Sequence, residues 1–354
     1  MIMRTFLTIT LGLIYSLSGF ATLSNVLPTE DKNVVPKPFV HLDSFFSHHV
    51  IVAEKLTHRL LLYKNNNGLP VLLKTYQMAT GKKPGNKKFQ GDYRTPEGIY
   101  QFLSFLSHDD LIKRHGKLGE IYGIGAFVMN YPNPVDSQKG REGGGIWLHS
   151  TNDETRIDKG LDSRGCIVAA NKDLIEISNY IELNKTPIIV VDQLSLISES
   201  TWQNNKQNLM KAINQWVDAW KNEKLEDYLS FYSKTEFKDK YRKNYAGLAD
   251  HKKRVFALPG KPDVEIKNLT ILESKEYVVA KFRQYYKSNT INDVGLKTLY
   301  LKKDDYYQWK IVTEHWSKAT EEEASEDVAL FNPSSRFFGN SSSFPLQESA
   351  KTKN

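Results

Sequence analysis

The chain has 354 residues, of which 40% are hydrophobic and 12% aromatic, enough for a substantial core and, on length, for about two domains; a wholly disordered polymer is excluded. One cysteine excludes an internal disulfide framework. The formal charge of +7 favours acidic partners without specifying an activity.

Arg4 precedes the apolar run Phe6 to Phe20, and Gly19-Phe20-Ala21 places small residues where a signal peptidase reads. This predicts a secretory signal peptide over residues 1–21. The competing reading is an uncleaved anchor, since a spanning helix wants about 20 apolar residues. Export implies the periplasm or an equivalent space. Nucleic acid is then excluded as a partner, whereas carboxylate-rich peptidoglycan stems and anionic lipid surfaces match the charge. Residues 22–38, polar and holding Pro28, Pro36 and Pro38, read as a linker.

From Phe39 the chain reads as mainly β. Short apolar, β-branched or aromatic runs at 50–53, 60–63, 71–78, 99–105, 126–129, 146–149 and 187–191 are separated by Gly, Pro and Asn, as in strands and hairpins. Residues 171–183, with Leu174, Ile175, Ile177, Ile181 and Leu183 at helical spacing, predict a helix with Asn171 as N-cap. From Trp202 a long amphipathic pattern (Leu209, Ile213, Trp216, Val217, Trp220, Leu225) precedes strand-like runs at 264–272, 277–286, 296–301 and 309–312. One helical layer across a curved antiparallel sheet is the economical solution. It resembles the cone-shaped domain of nuclear transport factor and ketosteroid isomerase relatives. The expected layout is a catalytic domain over 39–199, a self-contained accessory α+β domain over 200–317 and a disordered tail over 318–354, where aliphatics thin out. His48-His49 lacks further ligands at metal-site spacing, and no metal or cofactor is implied.

Two segments carry chemistry: Trp147-Leu148-His149-Ser150 and Ser163-Arg164-Gly165-Cys166. An unpaired thiol is a liability in an exported protein, and a free cysteine with a pKa of about 8.5 needs an imidazole to become a nucleophile. His149 is placed to act as that base. The bland reading of an isolated cysteine is a small buried hydrophobe, which export and the flanking residues oppose.

At these residues the sequence resembles the L,D-transpeptidase catalytic domain, often called YkuD, whose signature is a histidine, a spacer, then Ser or Thr, usually His, and Gly-Cys. His149, Ser163, Gly165 and Cys166 match it. A second family block appears as Gly91, Asp92, Thr95, Pro96, Glu97, Gly98 and Tyr100, and its residue types suit a turn that supports the site. Gly143-Gly144-Gly145 lacks the lysine and hydroxyl of a phosphate-binding loop and reads as a flexible lip beside His149. The resemblance covers residues 48–192 and implies a mainly β, sandwich-like domain.

The resemblance also implies a reaction. Cys166 would attack the carbonyl joining the third stem residue, typically meso-diaminopimelate, to D-alanine, giving a thioester, with His149 as base and N–H groups near Gly165 as an oxyanion hole. A third residue orienting the imidazole is expected, and Ser150 is a candidate by adjacency. Arg164 stands where the family usually has its second histidine, and Val168 where cross-linking members carry a polar residue. Arg164, with Arg94, Arg141, Ser163 and Ser150, is a candidate for substrate binding. The two-domain layout resembles a branch that trims tetrapeptide stems to tripeptides and influences cell shape, so L,D-carboxypeptidase is the expected activity. L,D-transpeptidase is the close alternative, and a non-catalytic wall-binding protein the reading from another class. A cell-wall protein partner for the C-terminal domain stays open.

Overall fold

The structure, a computed structural model, describes residues 34–325, 333 and 336–338. The expected signal peptide lies outside the described residues. So does most of the expected linker, but Val34–Pro36 is a strand paired antiparallel with Leu196–Ser198, so the linker reading fails for these residues.

Each predicted apolar run of the first part is a strand, with the 71–78 run extended to Leu69–Gly81. The strand Pro187–Val191 lies between Gly98–Ser107, antiparallel, and His49–Glu54, parallel. Beyond these follow Gly125–Met129 and Trp147–His149 on one side, Arg59–Asn66 and Leu69–Gly81 on the other. The strand Ile167–Ala169 pairs parallel with Trp147–His149 and antiparallel with Leu69–Gly81. The expected sandwich is therefore one sheet that closes on itself through the residues following Cys166.

All six residues of His49–Glu54 are buried because the strand has a core on each face. Ile51, Ala53, Leu60, Leu62, Ile188 and Val190 point into one cluster, and Val50, Val52, Leu61, Tyr63 and Ile189 into another. Period-two alternation explains the split. The second cluster is completed by Leu272, Val279, Tyr300 and Val312 of a second, five-stranded sheet and by Tyr277 from one of its turns. Tyr277 anchors it: its hydroxyl accepts from Ile99 N at 2.8 Å and Asn133 Nδ2 at 2.6 Å.

That second sheet is antiparallel, built from Asp263–Glu273, Val278–Lys287, Asn292–Lys303 and Trp309–Lys318, with Phe39–His41 on its edge. Its other face carries the helix Glu199–Lys221, whose Leu209, Ile213, Trp216 and Trp220 are buried with Val278, Ala280 and Phe282. Ser198 caps this helix. The helix-on-curved-sheet expectation stands, but the boundaries shift. Phe39–His41 belongs to the second sheet, and the shared core makes the described residues from Val34 one compact unit rather than two self-contained modules. The tail is not wholly unstructured: Glu321–Ala324 is a helical turn with a capping box, and Phe337 and Phe338 pack on Phe105 and Phe127 of the first core. Few aliphatics hid this, since two adjacent phenylalanines do the packing.

Two further local expectations change. The helix after Cys166 is shorter, Asn171–Ser178, and its N-cap is Ala170, with no capping side chain. Asn171 instead sends its side-chain amide to Thr151 O at 3.0 Å.

Candidate active site

Parallel pairing sets Ile167 opposite Leu148 and Val168 opposite His149. Cys166, just before its strand, therefore falls beside Trp147, and period-two alternation puts the thiol and the imidazole on the same face of two adjacent parallel strands, offset by two residues. Both line a cleft of about 810 Å³. The Sγ–H donates to Gly145 O at 3.4 Å, so the glycine run before Trp147 does form a lip beside the site. Among the described residues no hydrogen bond joins the sulfur to His149.

His149 is 2% exposed, and its Nδ1 lies 2.5 Å from Ser150 O. A carbonyl only accepts, so Nδ1 carries the proton and Nε2 keeps its lone pair. The third group expected to orient the ring is thus the backbone carbonyl of Ser150. Tyr122 stands edge-on to the imidazole at 5.0 Å between ring centroids and supports it laterally.

Burial pushes His149 down to about 4; the Ser150 carbonyl pulls it up, and the charge of Arg156 lowers it further. Burial likewise pushes the Cys166 thiol up to about 11, against the Trp147 N–H, Arg156 and Lys87, which favour the thiolate. At neutral pH the pair therefore rests as a neutral thiol and a neutral imidazole. Such a pair moves a proton when a reacting group arrives and does not store an ion pair beforehand.

Ser163 is 3% exposed. Its hydroxyl donates to Cys166 O at 2.6 Å and accepts from Gly165 N at 3.0 Å, which folds the four-residue loop under the thiol. This corrects two expectations. Ser163 touches the cleft but spends its hydrogen bonds on the loop, and the Gly165 N–H points at Ser163 and not toward an oxyanion. Gly165 is needed for shape: it has φ +130°, and an added Cβ would stand 2.8 Å from Arg94 O.

The other candidate residues separate. Arg164 is exposed and lines the cleft, free to meet a carboxylate. Ser150 is fully buried, its hydroxyl bonded to Ile124 N and Tyr122 O, and does not bind substrate through its side chain. Arg141 pairs with Asp136 at 2.9 Å and Glu276 at 2.6 Å and ties the two sheets together. Arg94 lies behind the loop, its Nε buried without a hydrogen-bond partner, and is absent from the cleft wall. The Gly91 to Gly98 block is structural as read. Asp92 meets Lys87 at 2.7 Å and accepts from three backbone N–H groups, and Thr95 accepts from Gly81 N.

Three cleft residues escaped the sequence reading. Arg156, 8% exposed, pairs with Asp162 and donates to Ile121 O and Thr151 Oγ1, fixing a positive charge beside both chemical groups. Tyr122 and His115 come from the helix His108–His115 and the 3₁₀ turn Gly116–Tyr122. That insertion carries no apolar strand pattern, and Arg156 had only its position between His149 and Cys166 to mark it.

The model of the L,D-transpeptidase catalytic domain matches residues 48–190, and that of the Cds6 C-terminal NTF2-like domain matches residues 208–315. Among solved structures, Bd1075 of Bdellovibrio bacteriovorus is 30% identical, with a TM-score of 0.70 over 82% of this chain and 100% of that one. The chain belongs to the L,D-transpeptidase (YkuD) family. The helical cell shape determining protein Pgp2 of Campylobacter jejuni shares the two-part fold at 23% identity, with a TM-score of 0.62 over 79% of this chain and 95% of that one. No match was found among curated proteins. As a family member with an NTF2-like C-terminal part, the chain is a peptidoglycan-modifying enzyme.

Proposed function

We propose that this is an exported, periplasmic cysteine enzyme that hydrolyses the bond between meso-diaminopimelate and D-alanine in tetrapeptide stems, an L,D-carboxypeptidase. The observation that carries the reading is the Nδ1 contact of His149 with Ser150 O, which leaves the unprotonated Nε2 of a residue lining the cleft that Cys166 shares. The stem carbonyl enters beside the sulfur. Nε2 takes the Sγ proton as the sulfur bonds to the carbonyl carbon, and the tetrahedral oxyanion collapses to a thioester. The imidazolium gives its proton to the departing nitrogen of D-alanine. Water then attacks the thioester, losing a proton to Nε2, and the thiol is restored as the tripeptide carboxylate leaves.

Arg164 suits the terminal carboxylate of D-alanine by its exposure on the cleft wall. Hydrolysis rather than cross-linking is supported by Val168, which is fully buried in its strand, lies off the cleft wall and gives a second stem no polar contact. The helical cell shape determining role of Pgp2 agrees with a stem-trimming enzyme. Purified tetrapeptide muropeptides incubated with the mature protein and followed by mass spectrometry are expected to give tripeptides and free D-alanine. A dominant dimer joined through two diaminopimelate residues would replace hydrolase with transpeptidase. Intact tetrapeptide would refute both.

A further inference from the structure

The two sheets leave a cavity of about 470 Å³ at their seam, and none of the residues lining it lines the Cys166 cleft. It lies against the face of the second sheet opposite the helices. Strand register builds a polar row across its floor, with Thr270 opposite Lys281, Lys281 opposite Thr298, and Thr298 opposite His315. All four line the cavity. Cross-strand partners project to one side of a sheet, so an ammonium, two hydroxyls and an imidazole share this surface.

Lys281 is the unusual member. It is 8% exposed, lies 4.7 Å above the Phe46 ring and donates to Asn184 O at 2.8 Å. An ammonium has three donors, and among the described residues the other two meet no acceptor and no carboxylate stands within ion-pair distance. A buried charge without a counterion is among the costliest arrangements in a protein. The acid that lines the cavity, Glu323, is engaged elsewhere, its carboxylate accepting from Thr320 N at 2.9 Å. Lys185, the other cation on the wall, is paired with Glu182. Thr270 is saturated by Asp43 and Ser47, but the Thr298 hydroxyl has no partner among the described residues. Burial pushes Lys281 down to about 7, with Glu323 pulling the other way, in keeping with a cation that lacks its anion.

We infer that the seam cavity is a second ligand site, taking a small carboxylate that accepts from Lys281 and Thr298. Its volume suits a ligand of amino-acid size, and Ile99, Leu103, Val279 and Leu296 on the walls accommodate a short apolar side chain. Neither the family's chemistry nor the cleft requires this site.

The test is calorimetric titration of the full mature chain with two probes, acetate as a bare carboxylate and D-alanine as a carboxylate with an ammonium. Saturable millimolar binding is expected for at least one probe. Lys281→Met, matched in length and apolar, should weaken it about tenfold or more, the loss of a hydrogen bond to a charged group. Lys275→Met, at an exposed lysine that lines neither this cavity nor the Cys166 cleft, should leave it unchanged. Which probe binds tells whether the ligand carries an ammonium, and either result lost in Lys281→Met supports the site. Absence of saturable binding by both, or undiminished binding in Lys281→Met, overturns it. If Lys281→Met does not fold, Thr298→Val must weaken binding by itself; an unchanged affinity there also overturns the site.

Discussion

The Cys166 cleft and the interior of the second sheet both bury titratable groups, and they treat them in opposite ways. In the second sheet Glu314 is surrounded by side-chain partners: Lys297 at 2.8 Å, Arg242 at 3.6 Å and the Tyr232 hydroxyl at 3.0 Å. Burial raises its pKa, but Lys297 and Arg242 outweigh that and hold the carboxylate below its usual range. In the cleft the imidazole is held by a backbone carbonyl and the thiol by a backbone lip, and both stay neutral. Side-chain saturation fixes a charge in place. Backbone support fixes position and leaves the proton movable, which is what general base chemistry requires.

The largest effect that tests this contrast is on turnover. Cys166→Ser and His149→Ala are each expected to lower tripeptide release by about a thousandfold or more, measured on soluble muropeptides, while the serine variant keeps its circular dichroism and melting profile. Near-normal activity in either variant would mean that the cleft is not where the chemistry occurs.

Second is Glu314→Ala, which strands Lys297 in the interior while Arg242 keeps its pair with Asp239 at 3.0 Å. A cost of about 3–5 kcal/mol is expected, read by urea denaturation, with the chemical step on small muropeptides retained in the folded fraction. Unchanged stability would erase the distinction between the two regions.

Third, Gly165→Ala forces a side chain into a backbone with φ +130° and against Arg94 O. Strain of about 1–3 kcal/mol is expected, together with a loss of turnover larger than this instability explains, because the loop carries the sulfur.

The last effect is on pH. His149 and His49 are each pushed down to about 4, mainly by burial. The unfolded chain binds these protons near pH 6.5 and the folded chain only near 4. The folded state is therefore favoured fully above about 6.5 and loses this contribution as pH falls to 4. Thermal melts across that window should show the decline, and His49→Asn should flatten part of it. An equal slope in the variant would remove His49 from the account.

The longer strands were legible because each is an apolar run bounded by turn residues, and the Cys166 and His149 pair because two separate blocks fell in family order; three-residue strands such as Ile167–Ala169 and Leu196–Ser198 are too short to show a pattern. What was hidden depended on contacts distant in sequence. Phe39 reads as the start of the first domain, yet the strand it opens pairs with Leu272 and Ile271. Arg141 and Arg164 look alike as surface cations in the sequence, and only folding sets one against Asp136 and Glu276 and the other on the cleft wall. Arg156 and Tyr122 acquire meaning from the backbone groups and rings they meet, none of which is a sequence neighbour.

Phe337 and Phe338, which close the core around Phe105 and Phe127, also give the first core a wall drawn from beyond the second sheet. They are far in sequence from the rings they cover, so this wall is closed by a long-range contact. Without them an aromatic surface is exposed on the half that carries the cleft. A substitution at either phenylalanine therefore acts on the core that also holds Leu148 and Ile167, the strand neighbours of His149 and Cys166.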